Sequence, residues 1–384
     1  MPTMSSEETL NTDLIRERLR SVGLSQKDLA TQVEVTAQAV TNWLKGTDFP
    51  RPSALLRIAT ALEVSLDDLL VRDDPAKPVI AFRKKGSSKT TRAHIEKAEH
   101  IGWLLRPLVE FLPEQNQIRP VFRSAQYSDD VVTTAAAQAR QQLVGKKEVV
   151  KYSDLIHEFS RCGAVVVPVL WGEKEKHKNA LHIHLPQENI TFIFFNLDTR
   201  IEDFKFWMAH ELAHVYTPHL AGSDEGEDFA DRFAGELLYP TRLAAIAYKE
   251  IESLSTQTLK LDFLKQVASK HEISLYTVYS RVQAYAKSQK LPDLKVSEAS
   301  VHKLRNLHVT GNMSEKLFKG ALPDVKSYLK VARVKFESCF FDALSQMIET
   351  QDVGAGYLQQ ILGITHAEAV EIHQVLVNDG TGCS

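Results

Sequence analysis

Cysteine is scarce: Cys162, Cys339 and Cys383 are the only three in 384 residues, odd in number and never spaced C-x-x-C. That excludes a disulfide framework and a thiolate metal site, and fits free thiols in a reducing cytoplasm. Long hydrophobic runs are also lacking; none approaches the ~18–20 apolar residues of a membrane span. The opening Met1-Pro2-Thr3-Met4-Ser5-Ser6-Glu7-Glu8 is polar and acidic, without a signal-peptide core. Neither charge sign dominates, at net −3, and there is no internal repeat or low-complexity tract. A cytoplasmic globular protein without membrane contact is expected. The length predicts two or three domains.

The first readable unit covers residues 10–72. Leu14, Leu19, Leu24, Leu29, Val33, Val40, Leu44, Leu55, Ile58 and Leu62 recur at helical spacing, with breaks at Gly23, Glu34-Val35 and Gly46. This predicts about five short helices, with Ser25-Gln26 opening one and Thr36 capping the next. Ser25-Gln26-Lys27-Asp28-Leu29-Ala30 through Gln38-Ala39-Val40-Thr41-Asn42-Trp43 and Gly46 resembles a helix-turn-helix of the Cro/repressor (XRE) type. In that geometry the second helix of the pair enters the major groove of double-stranded DNA. Ala37, Gln38, Thr41 and Asn42 would face bases, the two amides being suited to adenine. Gln26, Lys45 and Arg51 would touch phosphates. Acids and bases in the module roughly balance, so one copy should bind DNA weakly and a homodimer reading two half-sites would compensate. Residues 73–92, with Asp73-Asp74-Pro75-Ala76-Lys77-Pro78 and the basic run Arg83-Lys84-Lys85-Gly86-Ser87-Ser88-Lys89, read as a linker.

Residues 93–290 hold the chemistry. His210-Glu211-Leu212-Ala213-His214 is an H-E-x-x-H motif. On a helix the two histidines share one face, about 6 Å apart at Cβ, which suits a Zn²⁺ site needing one further ligand and an open position. Glu211 beside them can take a proton from water. Phe204, Met208, Leu212 and Val215 form the buried stripe, while Trp207, His210 and His214 form a neighbouring stripe facing a cleft. The helix should end near Tyr216, before Pro218, and a second should run from about Glu225 to Leu238. That hairpin returns Glu227 to the histidines as third ligand; His219, Glu225 and Asp228 compete for the role. Asp231, one turn on, would accept the outer N–H of a ligating imidazole. Tyr216, His219 and Tyr239 are all candidates for an oxyanion donor.

Helices are expected over Ala93 to Leu112, Val131 to Leu143 and Lys151 to Phe159, then strands over Ala164 to Leu170, Ala180 to Leu185 and Ile190 to Phe195. Pro168 argues for an edge position or a bulge. His182 and His184 alternate with Leu181, Ile183 and Leu185, so both are expected on a polar, solvent-facing side. A strand edge beside the metal could take an extended peptide by β-augmentation. Helices continue over 241–287. Residues 291–384 are expected to form a helical C-terminal region, with a small helix-turn-helix turn from Val353 to Thr365.

The second unit resembles the ImmA/IrrE-type metallopeptidases. The resemblance runs through Ala135-Ala136-Ala137-Gln138-Ala139-Arg140, Asp154-Leu155, Gly163-Ala164-Val165 and Thr191-Phe192-Ile193-Phe194-Phe195-Asn196. It continues in Arg200, Phe206, Met208 to His214, and Phe233-Ala234-Gly235-Glu236-Leu237-Leu238-Tyr239-Pro240, with a later echo in Ile273 to Val282. Ala213, Asp231 and Phe229 stand where that family often has Gly, Asn and Glu; the proposed ligands are untouched. The resemblance implies a zincin-like α+β metallopeptidase domain behind an all-α DNA-binding domain, with Zn²⁺ on His210, His214 and Glu227 and Glu211 as general base. It further implies a narrow protein substrate, typically a helix-turn-helix repressor, or self-cleavage. The competing expectation is a transcription factor whose peptidase-like region senses a ligand or partner without cutting.

Overall fold

The computed structural model describes residues 8–72, 74, 76–81, 92–113, 121–124, 126–145, 147–171, 180–307 and 311–380. The first seven residues, the basic run of residues 83–89 and Cys383 lie outside them. Two compact units are present, Met1–Lys77 and Pro78–Ser384.

In the first unit, β1 (Glu8–Leu10) precedes α1 (Thr12–Val22), α2 (Gln26–Val33), α3 (Ala37–Lys45), α4 (Pro52–Leu62), α5 (Leu66–Leu69) and β2 (Leu70–Arg72). The helix ends are written locally. Ser25 caps α2 in a reciprocal capping box with Asp28, and the Thr36 hydroxyl accepts from the Ala39 N–H to start α3. Gly23 and Gly46 end α1 and α3 in the left-handed region, at φ 73° and 72°. Ile15, Leu29, Val33, Val40, Ile58, Leu62 and Leu69 meet in one small core. The antiparallel pairing of β1 with β2 ties the two ends of the unit together.

The second unit is built on a four-stranded sheet of order β3 (Val79–Ala81), β5 (Ala180–Leu185), β6 (Ile190–Asn196), β4 (Ala164–Val169). β5 runs antiparallel to both neighbours, and β4 runs parallel to β6 at the edge. Pro168 is therefore on an edge strand, where its missing N–H breaks no ladder. β3 falls in the span expected to be linker. A short apolar Val79-Ile80-Ala81 triplet after Pro78 is enough to pair with β5 once a partner edge is there.

Both sheet faces are covered, which explains the near-continuous apolar reading of the strands. One face, carrying Val166, Ile193 and Phe195, meets α7 (Asp129–Val144), α8 (Tyr152–Arg161), α9 (Ile201–Tyr216) and α10 (Asp224–Leu238). Behind these lie α11 (Thr241–Ser253), α12 (Gln257–His271), α13 (Leu275–Ser288), α14 (Glu298–Leu307) and α15 (Met313–Phe318). The other face, carrying Val165, Val167, Leu181, Ile183, Phe192 and Phe194, meets α6 (Arg92–Leu105) and the helices α16 (Val325–Lys335), α17 (Phe340–Gln351), α18 (Ala355–Leu362) and α19 (His366–Gly380). The C-terminal helices are thus part of this unit's second core. Tyr328 and Ser338 donate to the carbonyls of Pro168 and Val166 on β4, anchoring α16 and the turn after it.

Candidate functional site

The helix-turn-helix pair of the first unit presents its predicted contact residues outward. Gln26, Ala37, Gln38, Lys45 and Arg51 are exposed, and Thr41 and Asn42 are half-buried. The Gln38 side-chain N–H donates to the Asn42 amide oxygen at 2.8 Å, which holds the two amides together one turn apart on α3. The Thr41 hydroxyl donates to the Ala37 carbonyl. Several arginines are committed inward: Arg16 donates to Leu44, Arg18 to Leu62 and Glu63, and Arg57 to Val33 and Glu34.

In the second unit α9 ends at Tyr216, a 3-10 turn over Pro218–Leu220 follows, and Ser223 caps α10. The turn is tight because Gly226 lies against the chain before it. A Cβ there would stand 2.2 Å from the Leu220 carbonyl oxygen. This close approach brings α10 back along α9 and turns Glu227 toward His210 and His214, all three buried.

The two imidazoles meet, and Glu227 closes the group with one oxygen against each of them. His210 Nε2 and His214 Nε2 are 3.3 Å apart, His214 Nε2 and Glu227 Oε1 3.3 Å, and His210 Nε2 and Glu227 Oε2 3.5 Å. Ligands about 2.0–2.1 Å from a tetrahedral ion lie about 3.3–3.4 Å from one another, close to the spacing of the two imidazole nitrogens and of each nitrogen from its nearer Glu227 oxygen. Both Glu227 oxygens are buried without a well-formed hydrogen bond. A carboxylate and two imidazoles meeting at one dry point can hold a metal ion, and among the described residues this is the only such His/Cys/Asp/Glu group. Asp231 Oδ1 stands 3.0 Å from His210 Nδ1, the atom facing away from the group. The Trp207 ring packs edge-on against His210 with centroids 5.6 Å apart.

Burial works against a charged His210, yet Asp231 and Glu227 outweigh it and raise its pKa to about 9. Burial likewise favours a protonated Glu227, but the imidazoles hold its carboxyl down to about 2. Burial lowers the pKa of His214 and raises that of Glu211. Burial thus disfavours charge on His214 and Glu211, while His210 and Glu227 hold each other charged.

The competitors for third ligand are engaged elsewhere. Asp228 pairs with Arg232 at 2.9 Å, Glu225 is exposed, and His219 Nε2 lies 2.8 Å from the Tyr127 hydroxyl. Tyr216 donates to Glu158 and Tyr239 to the Leu243 carbonyl, so both hydroxyls serve packing between helices. Phe229 is fully buried against Tyr127 and Phe233.

His182 and His184 correct the expectation of a solvent-facing side, for both are buried. With the C-terminal helices over one face of the sheet, the polar side of β5 turns inward toward α9. His184 Nδ1 meets the Thr191 hydroxyl at 3.0 Å, and His182 Nδ1 meets Glu211 Oε2 at 3.2 Å. The alternation of His with aliphatic residues placed both on one face; only the covering of that face was invisible.

Residues 15–69 match the family model described as helix-turn-helix. Neither the curated proteins nor the solved structures give a match to the chain. The first unit, with its paired helices, outward amides and this match, is an XRE-type helix-turn-helix domain of the kind that binds double-stranded DNA.

Proposed function

We propose that the chain is a DNA-binding transcriptional regulator whose second unit is a zinc-dependent endopeptidase. Its substrate is a repressor-type protein or the chain itself. The observation that carries the reading is the buried group of His210, His214 and Glu227, in which the two Nε2 atoms are 3.3 Å apart and a Glu227 oxygen lies 3.3–3.5 Å from each. His210 Nε2, His214 Nε2 and one Glu227 oxygen would hold Zn²⁺. Asp231, at 3.0 Å, keeps the His210 ring oriented by accepting at Nδ1. Bound zinc brings the pKa of water toward 7 and polarises a carbonyl. Glu211, one residue from His210, takes the proton from water and passes it to the leaving amine. Such a positioned base contributes roughly 10²–10⁴-fold.

A second reading has its own support. The trio and Glu211 are all at most 6% exposed, so a regulator that holds metal to sense a partner, without cutting, also fits a closed centre. Co-expression with the neighbouring genes separates the two. The wild-type chain should yield a shortened protein by mass spectrometry, and Glu211→Gln should yield none. Identical operator control by both, with no shortened product, would favour the sensor.

A further inference from the structure

We propose that His182 is a positioning residue for Glu211, donating from Nδ1 to Oε2 so that the carboxylate is held in one orientation. The inference deepens the hydrolase reading and rests on it. Its geometric basis is the contact between His182 on β5 and Glu211 on α9. His182 is 1% and Glu211 6% exposed, so their contact lies away from bulk solvent. The two atoms are 3.2 Å apart.

The donor is also fixed from behind. His182 sits in mid-strand on β5, paired on one side with Ile193 of β6 and on the other with Ala81 of β3. Its backbone cannot drift without breaking a ladder. The ring packs edge-on against His214, with centroids 5.5 Å apart, which limits its rotation. A strand-borne donor thus reaches across to a helix-borne acceptor, and the other Glu211 oxygen is left to handle the proton. A glutamate has three side-chain torsions and, in a dry cleft, few partners. Rigid support is what keeps such a group within productive geometry.

The first test needs no metal and no substrate. Full-length protein labelled with ¹⁵N-histidine and stripped of metal should show the His182 proton on Nδ1, identified by its absence in His182→Asn. That resonance should move when Glu211→Ala removes the acceptor. A proton on Nε2 instead, or a resonance indifferent to Glu211→Ala, overturns the proposal. The second test uses the zinc-loaded chain and a mixed-sequence peptide library read by mass spectrometry. On the peptide cut fastest, His182→Leu should lower kcat about 10–100-fold with KM nearly unchanged. His182→Asn places an amide N–H near the Nδ1 position and should recover most of the loss. Equal losses in both variants, or a loss explained by lower zinc content, overturn it. If the wild type cuts no peptide and yields no shortened protein on co-expression, the hydrolase reading fails, while the metal-free spectrum still decides whether His182 holds Glu211.

Discussion

Burial isolates the His271 imidazole from water at the end of α12: it is 3% exposed, its Nδ1 has no hydrogen-bond partner, and Tyr239 packs edge-on against it. Burial lowers its pKa to about 4, with Glu148 pulling the other way. The unfolded chain takes up this proton near 6.5 and the folded chain only near 4. Stability is therefore complete above 6.5 and falls as the pH drops from 6.5 toward 4, by about 1–3 kcal/mol for this group. Urea midpoints at pH 7 and 4.5 should separate more in the wild type than in His271→Asn; equal separations would contradict the assignment. Other single residues were readable in advance. His210 and His214 declare themselves by their spacing, and Thr36 by its place before an apolar period. His182 was not readable, because alternation assigns a residue to a face and cannot tell whether that face meets water or another layer.

Between elements, a few side chains tie helix ends together. Glu236 on α10 accepts from the Thr241 N–H and hydroxyl at 2.8 Å each, capping α11, and pairs with Arg281 of α13. Arg281 also donates to the Tyr239 carbonyl, and Arg140 of α7 donates to the Leu237 carbonyl. These residues belong to the runs that carry the metallopeptidase resemblance, and each supports the C-terminal end of α10. Glu236→Ala would leave the half-buried Arg281 guanidinium without its carboxylate and should cost about 1.5–3 kcal/mol in urea unfolding. The double variant Glu236→Leu/Arg281→Met should regain much of that. If the double variant is no more stable than Glu236→Ala, the pair is not what holds these ends. The helical spans and the three long strands follow from periodicity, since apolar positions recur at 3.6 or fill whole runs. β3 did not, because three residues carry no period and a strand so short exists only through its partner.

At the scale of the whole molecule, the chain joins a helix-turn-helix unit to a unit that buries His210, His214 and Glu227 together. In the first, Gln38→Ala or Asn42→Ala should relax base preference while leaving the salt dependence of binding intact. Lys45→Ala should weaken binding to all sequences and lower the salt slope by about 1. Anisotropy titrations on a selected operator across salt concentrations check both, and a lost salt slope in Asn42→Ala would contradict the assignment. The shift from short capped helices to a Pro- and charge-bearing stretch led to the expectation of a linker over residues 73–92, and the chain divides between Lys77 and Pro78. The place of residues 291–384 was not, since a helical pattern alone does not say which surface it covers. Here it covers the face that carries Leu181 and Ile183, while α9 lies against the His-bearing face of β5. The central claim concerns what the inner cluster holds. Elemental analysis of the full-length protein should find about one zinc per chain in the wild type and in Glu211→Gln, and little in His210→Ala or Glu227→Ala. Folded wild type without bound metal after zinc is supplied, or zinc retained by both ligand variants, would contradict it.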